Sequence, residues 1–468
     1  MMELINILKN KLDKDIWSDN KKDFDKYLVE PRGRFKGKTN LLLRPRTTKE
    51  VSTIVKICNK YNLPLVPQGG RTGLAGGTVP SKKGDELVLS LERMNKILSI
   101  EPGNYLMTVQ AGCVLSKIKK ASEKKNCYFP LKLASEGNCT IGGNISTNAG
   151  GLAVLKYGMT RDLVAGIEVV LPNGDIISNL KVLKKDNRAY DLKHLFIGAE
   201  GTLGIVTAAT IKLFPKINDR AFSIVALKNI NLALKLLSIL NAEQHENLST
   251  YELNTKRGLK LIEKHFKRVN MPFKNSYPFY VIIELTSIKK EKLKSKLRSI
   301  LKIALKKDII LDFLLPSSLK QKNDIWSTRE LISEAQKIEG PSIKHDISLP
   351  ISKIPTFLKK AEMAISKIIN RKYILAFGHL ADGNLHYNIG KPKKLKETEF
   401  KRIYITINGL VFDLVQKLGG SFSAEHGIGK IKMNELKKYS SKEELRLKKN
   451  IKYLIDPKKI MNPGKVFK

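Results

Sequence analysis

Three glycine-rich loops in the first 204 residues constrain this chain more than any other feature. They run from Val66 to Gly77 (VPQGGRTGLAGG), from Ala134 to Gly151 (ASEGNCTIGGNISTNAGG) and from Gly198 to Gly204 (GAEGTLG). Loops of this kind fold tightly or lie close to something, and they offer backbone N–H groups that no side chain obstructs, which is what a pyrophosphate needs. One such loop is as well explained by an ordinary tight turn. Three, with Ser, Thr and Asn interleaved, point to a phosphate-bearing cofactor. The chain has neither a G-x-x-x-x-G-K-[ST] loop nor a strand followed by G-x-G-x-x-G and a helix, so the P-loop and dinucleotide-binding readings both fail.

The elements around the loops are mixed. Thr47 and Glu50 can form a capping box, and Val51, Ile54, Val55 and Cys58 repeat at helical spacing, so residues 47–61 read as a helix. Strand-like runs at 86–91 and 106–111 precede a charged helix over 114–125, and Asn173-Gly174 between apolar runs signals a hairpin. After Pro215 glycine becomes scarce and Lys-rich amphipathic helices take over, at 229–240, 289–307, 319–338 and 396–417, with strands at 278–286, 309–315 and 373–389. Strands and helices do not alternate regularly, so the class is α+β and not a doubly wound sheet. A boundary falls near 217.

The net charge of +41 raises nucleic acid or an anionic surface as a partner. Its basic residues are spread along nearly the whole chain with no aromatic-studded basic motif, so no specific nucleic-acid binding is expected, and a basic nucleic-acid-binding protein is the different-class alternative. No export signal, no apolar run of about 18 residues and no C-x-x-C pair among the four cysteines is visible, and a reducing cytoplasm is the expected location.

Pro67–Gly77, Ala134–Gly151, the Lys156–Asp162 run (KYGMTRD) and Gly198–Gly204 resemble the FAD-binding domain of the vanillyl-alcohol oxidase and p-cresol methylhydroxylase superfamily, over residues 38–468. That resemblance implies a two-subdomain FAD-binding domain (38–217) after an N-terminal helical segment (1–37). It further implies an α+β substrate or cap domain with a metal site (218–430) and a helical C-terminal segment returning to the flavin domain (431–468). It implies that Pro67, Gly69, Gly70, Thr72, Gly73, Leu74, Gly76 and Gly77 cradle the FAD pyrophosphate. Ser135, Gly142, Gly143, Asn144 and Thr147 would line the flavin, Gly201 and Ile205 would lie near the adenine and ribose, and Asn462 near the ring. Arg71 stands where some members carry a flavin-linking histidine, so the FAD should be noncovalent.

Of the seven histidines, His379, His386 and His426 fall within 48 residues, the last beside Glu425. Taking Asp382-Gly383 as a two-residue turn pairs His379 with His386 across a hairpin, with Cβ atoms about 4.5 to 5.5 Å apart, near enough to share an ion. A carboxylate from Ser423–Gly429 (SAEHGIG) can complete a His2Glu set with one position open. The alternative is a hydrogen-bonded histidine pair beside a turn. His426 is better used as a base, because a neutral imidazole near a cationic site can remove an alcohol proton. GHLADGNLH and AEHGIG resemble the metal and base motifs of FAD-dependent D-2-hydroxyacid dehydrogenases. The resemblance implies His379, His386 and Glu425 as ligands of Zn2+ or a similar divalent metal, and His426 as the catalytic base.

Arg329 and Ser333 are four apart on the helix expected over 319–338 and so should share a face, where Arg can grip a carboxylate through two hydrogen bonds and Ser can add a third. A strand beginning after Gly340-Pro341 can bring Lys344 alongside. A solvated Arg329 paired with Glu330 or Glu334 explains the spacing equally well. The Arg, Ser and Lys spacing resembles the D-2-hydroxyglutarate dehydrogenase branch, in which such residues hold the distal carboxylate. There Ser333 replaces a Thr, and Asn388 matches a substrate-contacting Asn. The implied activity is oxidation of D-2-hydroxyglutarate to 2-oxoglutarate, with hydride passing to flavin N5. The alternative within the fold is a D-lactate or glycolate dehydrogenase. The implied electron acceptor is an electron-transfer flavoprotein or a quinone, and a homodimer is left open.

Overall fold

The computed structural model describes residues 2–181, 183 and 185–467. The chain divides into two compact units, one made of segments 1–151, 158–216 and 425–468, the other of 152–157 and 217–424. Each has its own sheets and core, and the class is α+β as expected.

In the first unit, Trp17–Ser18, Leu42–Leu43, Leu87–Ser90 and Leu65–Gln68 form a four-stranded sheet in that order, with its last three strands parallel. The helix Thr48–Lys60 covers it. Thr47 caps this helix by accepting the Glu50 N–H at 3.2 Å, while Glu50 reaches back to the Arg46 N–H at 2.6 Å, one residue before the cap. Val51, Ile54, Val55 and Cys58 are buried against Leu43, Leu65 and Leu89. A second sheet is antiparallel throughout, in the order Ile97–Glu101, Leu106–Gln110, Ile205–Lys212, Val164–Val170, Ile176–Ser178. The hairpin at Asn173-Gly174 forms with a longer connection than two residues, since Val170 pairs with Ile176.

The chain ends do not form separate segments. Ile5 and Leu8 of the helix Met2–Asn10 join the same core as Val51 and Ile54, so the expected 1–37 segment is part of this unit. At the other end, Met461 bridges Leu65 in parallel, and the Leu65 N–H donates to the Ile460 carbonyl at 2.8 Å. Two buried lysines hold this return. Lys452 donates to Thr202 and Met461 carbonyls and pairs with Asp456, while Lys465 pairs with Glu86 at 3.0 Å. The expected boundary at 430/431 lies instead at 424/425.

The second unit is built on one antiparallel sheet of seven strands, ordered Asp312–Leu314, Asp219–Leu227, Phe279–Ser287, Leu248–Thr255, Ile374–His379, Asn384–Gly390, Ser342–Ser348. Residues 152–157 belong to it, with the Thr250 hydroxyl donating to the Leu152 carbonyl at 3.2 Å and Lys156 to the Thr286 carbonyl at 2.7 Å. The helix expected over 319–338 is two, Leu319–Glu330 and Ile332–Glu339, broken at Leu331. Ile332 and Ala335 pack with Leu375 and Phe377, which docks the second helix on the strand that carries His379.

Candidate active site

The glycine loops of the first unit converge on one cavity. Of the residues expected to bind the cofactor, Pro67, Gly69, Gly73, Gly77, Gly142, Gly143, Thr147, Gly201, Ile205 and Asn462 line it. Gly70 and Thr72 line a neighbouring hollow with Gly69 and Arg71. Leu74, Gly76, Ser135 and Asn144 line neither; the first two contact Arg34 and Phe35, the other two their own loop. The Leu74 carbonyl accepts from Arg34 at 2.6 Å, Gly76 at φ +73° backs onto the Phe35 ring, and the Ser135 carbonyl accepts the Cys139 N–H. Asn144 is buried, with its Nδ2 3.7 Å from Cys139 Sγ.

Glycine is required here by packing. A Cβ at Gly70 would stand 2.1 Å from the Asn138 carbonyl oxygen, and one at Gly142 would stand 2.6 Å from the Ala111 Cβ, so two loops approach to backbone distance. Two buried acceptors on the cavity wall, Gln68 Oε1 and Asn462 Oδ1, have no hydrogen-bond partner among the described residues. Their amide orientations are fixed, because Gln68 Nε2 donates to the Tyr27 and Thr78 carbonyls and Asn462 Nδ2 to those of Gly77 and Glu200. Buried orphan acceptors call for donors from a ligand. The imide N–H and ribityl hydroxyls of FAD are donors of that kind, so the wall fits the cofactor.

His426 also lines this cavity. So does Glu200, which the motif reading passed over although a carboxylate inside a glycine loop is itself a signal. Its carboxylate accepts the N–H of Ile428 at 2.7 Å and of Gly429 at 2.9 Å. Burial pushes Glu200 up from the usual carboxylate range, against the pull of these two N–H groups and Lys432. Glu425 accepts the Gly151 N–H at 3.1 Å.

In the second unit the two strand histidines are neighbours, by a different register from the one expected. His386 pairs with Phe377, and His379 pairs with Glu252 on the strand Leu248–Thr255. The connection is a helical turn over Leu380–Asp382 closed by Gly383 at φ +83°, where a Cβ would meet the Leu349 carbonyl at 2.2 Å. The slip is two residues, an even number, so both imidazoles keep to one face. Their ring centroids are 5.9 Å apart at 74°.

Each imidazole has a carboxylate near its Nδ1. Glu252 Oε1 lies 2.5 Å from His379 Nδ1, and Asp346 Oδ1 lies 3.8 Å from His386 Nδ1. The Glu252 contact is the arrangement that orients a metal-ligating histidine, with Nε2 as the ligating nitrogen, while Asp346 stands beyond hydrogen-bond distance of His386. Glu252 is 1% exposed and its other oxygen accepts from Arg329 Nε at 2.8 Å. Burial pushes Glu252 up, and the charges of His379 and Arg329 outweigh it and hold the carboxyl at about 2.

Arg329 therefore differs from both sequence expectations, pairing neither with Glu330 nor with Glu334 in solvent. It is buried over the Phe377 ring, while Ser333, past the break at Leu331, is exposed, so the two do not share a face. Lys344 and Asn388 are register partners. Asn388 Nδ2 donates to Gln336 at 2.8 Å, and its buried Oδ1 has no partner among the described residues.

Comparison with known proteins agrees with this chemistry. Residues 39–179 match the FAD binding domain model, and residues 217–466 match the model of FAD linked oxidases, C-terminal domain. The chain is 38% identical to the D-2-hydroxyglutarate dehydrogenase, mitochondrial, of Arabidopsis thaliana, over 92% of this chain and 76% of that one. It is 37% identical to the D-2-hydroxyglutarate dehydrogenase of Stutzerimonas stutzeri, over 90% of each. Among solved structures, p-cresol methylhydroxylase superposes with a TM-score of 0.79 at 16% identity, covering 99% of this chain and 96% of that one. Alkyldihydroxyacetonephosphate synthase superposes with 0.75 at 19% identity, over 99% and 84%. The fold is theirs, the cofactor is FAD, and the chain belongs to the D-2-hydroxyglutarate dehydrogenase family of FAD-linked oxidoreductases.

Proposed function

We propose that this protein oxidises D-2-hydroxyglutarate to 2-oxoglutarate. The observation that carries the proposal is similarity at 35–39% identity, over nine-tenths of the chain, to proteins named for that reaction. FAD, bound noncovalently, supplies the two-electron oxidant that takes the C2 hydride. His426 accepts the hydroxyl proton; its place on the cavity wall supports that role. We assign a divalent metal such as Zn2+ to His379, His386 and Glu425, where it would polarise the C2 hydroxyl and hold the adjacent carboxylate. The Glu252 carboxylate on His379 Nδ1 supports this assignment. Just before Glu425, the Ala424 N–H donates to the carbonyl of Asp346, the register partner of His386, at 3.2 Å.

We place the distal carboxylate against Lys344 and Asn388, with Arg329 held behind them by Glu252. Ser333 has the least support, being exposed. Re-oxidation falls to an acceptor such as electron-transfer flavoprotein or a quinone, consistent with relatives named dehydrogenases. A reducing compartment such as the cytoplasm fits four buried, unpaired cysteines. A second reading, a D-lactate or glycolate dehydrogenase, is favoured by one observation: Arg329 already has a carboxylate partner inside the protein. The purified flavoprotein assayed with an artificial acceptor separates the two. D-2-hydroxyglutarate should exceed D-malate, D-lactate, glycolate and the L-isomers in kcat/KM, and a preference for D-lactate would move the assignment.

A further inference from the structure

Glu200 is the only carboxylate among the described residues that line the flavin cavity. It contacts the second glycine loop and two parts of the C-terminal segment. Its N–H donates to the Ser146 carbonyl at 2.8 Å in the second glycine loop, and its carbonyl accepts Asn462 Nδ2 at 2.7 Å from the returning C-terminal segment. The carboxylate holds the turn just after His426, through the Ile428 and Gly429 N–H groups. The glycines around it are cut to its shape. A Cβ at Gly427, which has φ +74°, would stand 2.8 Å from Glu200 Oε1, and one at Gly77 would stand 3.2 Å from Oε2.

We propose that Glu200 is a positioning residue for the reaction, fixing the backbone turn Gly427–Gly429 and through it the place of His426 on the cavity wall. The inference rests on His426 being the base. Charge-assisted hydrogen bonds from backbone N–H to a buried carboxylate are among the stronger ones, and two of them converge on consecutive peptides. Beyond this turn a separate anchor holds the chain, the Lys430 N–H donating to the Ala75 carbonyl at 2.8 Å. Removing the Glu200 carboxylate therefore takes two hydrogen bonds from the turn that follows His426, while the segment stays attached to the unit at Lys430 and through the Gly429 carbonyl, which accepts the Val466 N–H at 2.9 Å. Misplacing a reacting group by about 1 Å can cost about 10²-fold in rate.

The test is a double-mutant cycle on the FAD-loaded enzyme. Glu200→Ala should lower kcat about 10- to 100-fold with an unchanged flavin absorption spectrum and FAD content. Glu200→Gln, which keeps one acceptor oxygen, should recover part of that loss. In a His426→Ala background, which itself loses activity deeply, adding Glu200→Ala should cost less than about threefold, because groups acting as a unit are not additive. An equal fold loss in both backgrounds would overturn the positioning role while leaving the base intact. So would loss of FAD from Glu200→Ala, which would make the residue a cofactor holder. Full activity in His426→Ala alone would instead remove the base reading on which the inference stands.

Discussion

The two units present their chemistry in opposite materials. The cavity of the first is walled by backbone and small side chains, with glycines packed against carbonyl oxygens and the Glu200 carboxylate turned to hold peptide N–H groups. The second unit carries its chemistry on strands, through polar side chains taken out of water: Glu252 between Arg329 and His379, and Asp346 beside His386. A wall made of peptide groups is damaged by adding atoms, and its buried carboxylate acts on the one turn whose N–H groups it accepts. A buried ionic relay is damaged by removing one partner, since the others are then left charged without compensation.

The largest effect expected lies on the first side of that contrast. His426 sits on the backbone-built wall, so truncating it removes the proposed proton acceptor and leaves the cradle standing. His426→Ala should lose about 10²- to 10⁴-fold in kcat, with flavin content and visible spectrum unchanged. A colourless variant would show that the wall depends on this side chain, and the contrast between the units would fail there.

The second unit should respond in stability as well as rate. Glu252→Ala strands the buried Arg329 guanidinium, and breaking a buried pair from one side costs about 3 to 5 kcal/mol, read as a lowered urea midpoint. Loss of the carboxylate behind His379 should also weaken divalent-metal affinity by about 10- to 100-fold, read by metal analysis after dialysis. Glu252→Gln keeps the shape and one acceptor. If it matches wild type in both measurements, packing and not charge holds this region together.

The same contrast explains what could be read in the sequence. The glycine cradle was legible because its members are contiguous: Gly69, Gly73 and Gly77 lie in one motif, Gly142 and Gly143 in another, and each motif needs only its own backbone. The histidine pair was legible for the same reason, with the turn between them in sequence. The register was not, because a helical turn over Leu380–Asp382 replaced the two-residue turn, and Gly378 at φ +144° let His379 leave one partner strand for another. Glu252 was invisible. Its partners are 77 and 127 residues away, and its strand is buried on both faces, so it carries no period-2 signal. The expectation for Arg329 and Ser333 failed because helical spacing was assumed through Leu331, where the helix breaks.

The smallest effect concerns substrate choice. Lys344 is the register partner of Asn388, whose buried Oδ1 has no partner among the described residues and whose strand adjoins that of His379. A second carboxylate placed there would gain a charge-assisted hydrogen bond worth about 1.5 to 3 kcal/mol. Lys344→Met, which keeps the length and apolar stem, should therefore reduce kcat/KM for D-2-hydroxyglutarate about 10- to 150-fold, at tenfold per 1.4 kcal/mol. Turnover of D-lactate should change much less, since its methyl group has no charge to lose. D-malate, one methylene shorter, should fall between them if the carboxylate is read by distance. Equal losses on all three would mean that Lys344 supports the strand pair itself. The second unit would then contribute a structural ionic network, and substrate selection would have to come from Arg329 despite its bond to Glu252.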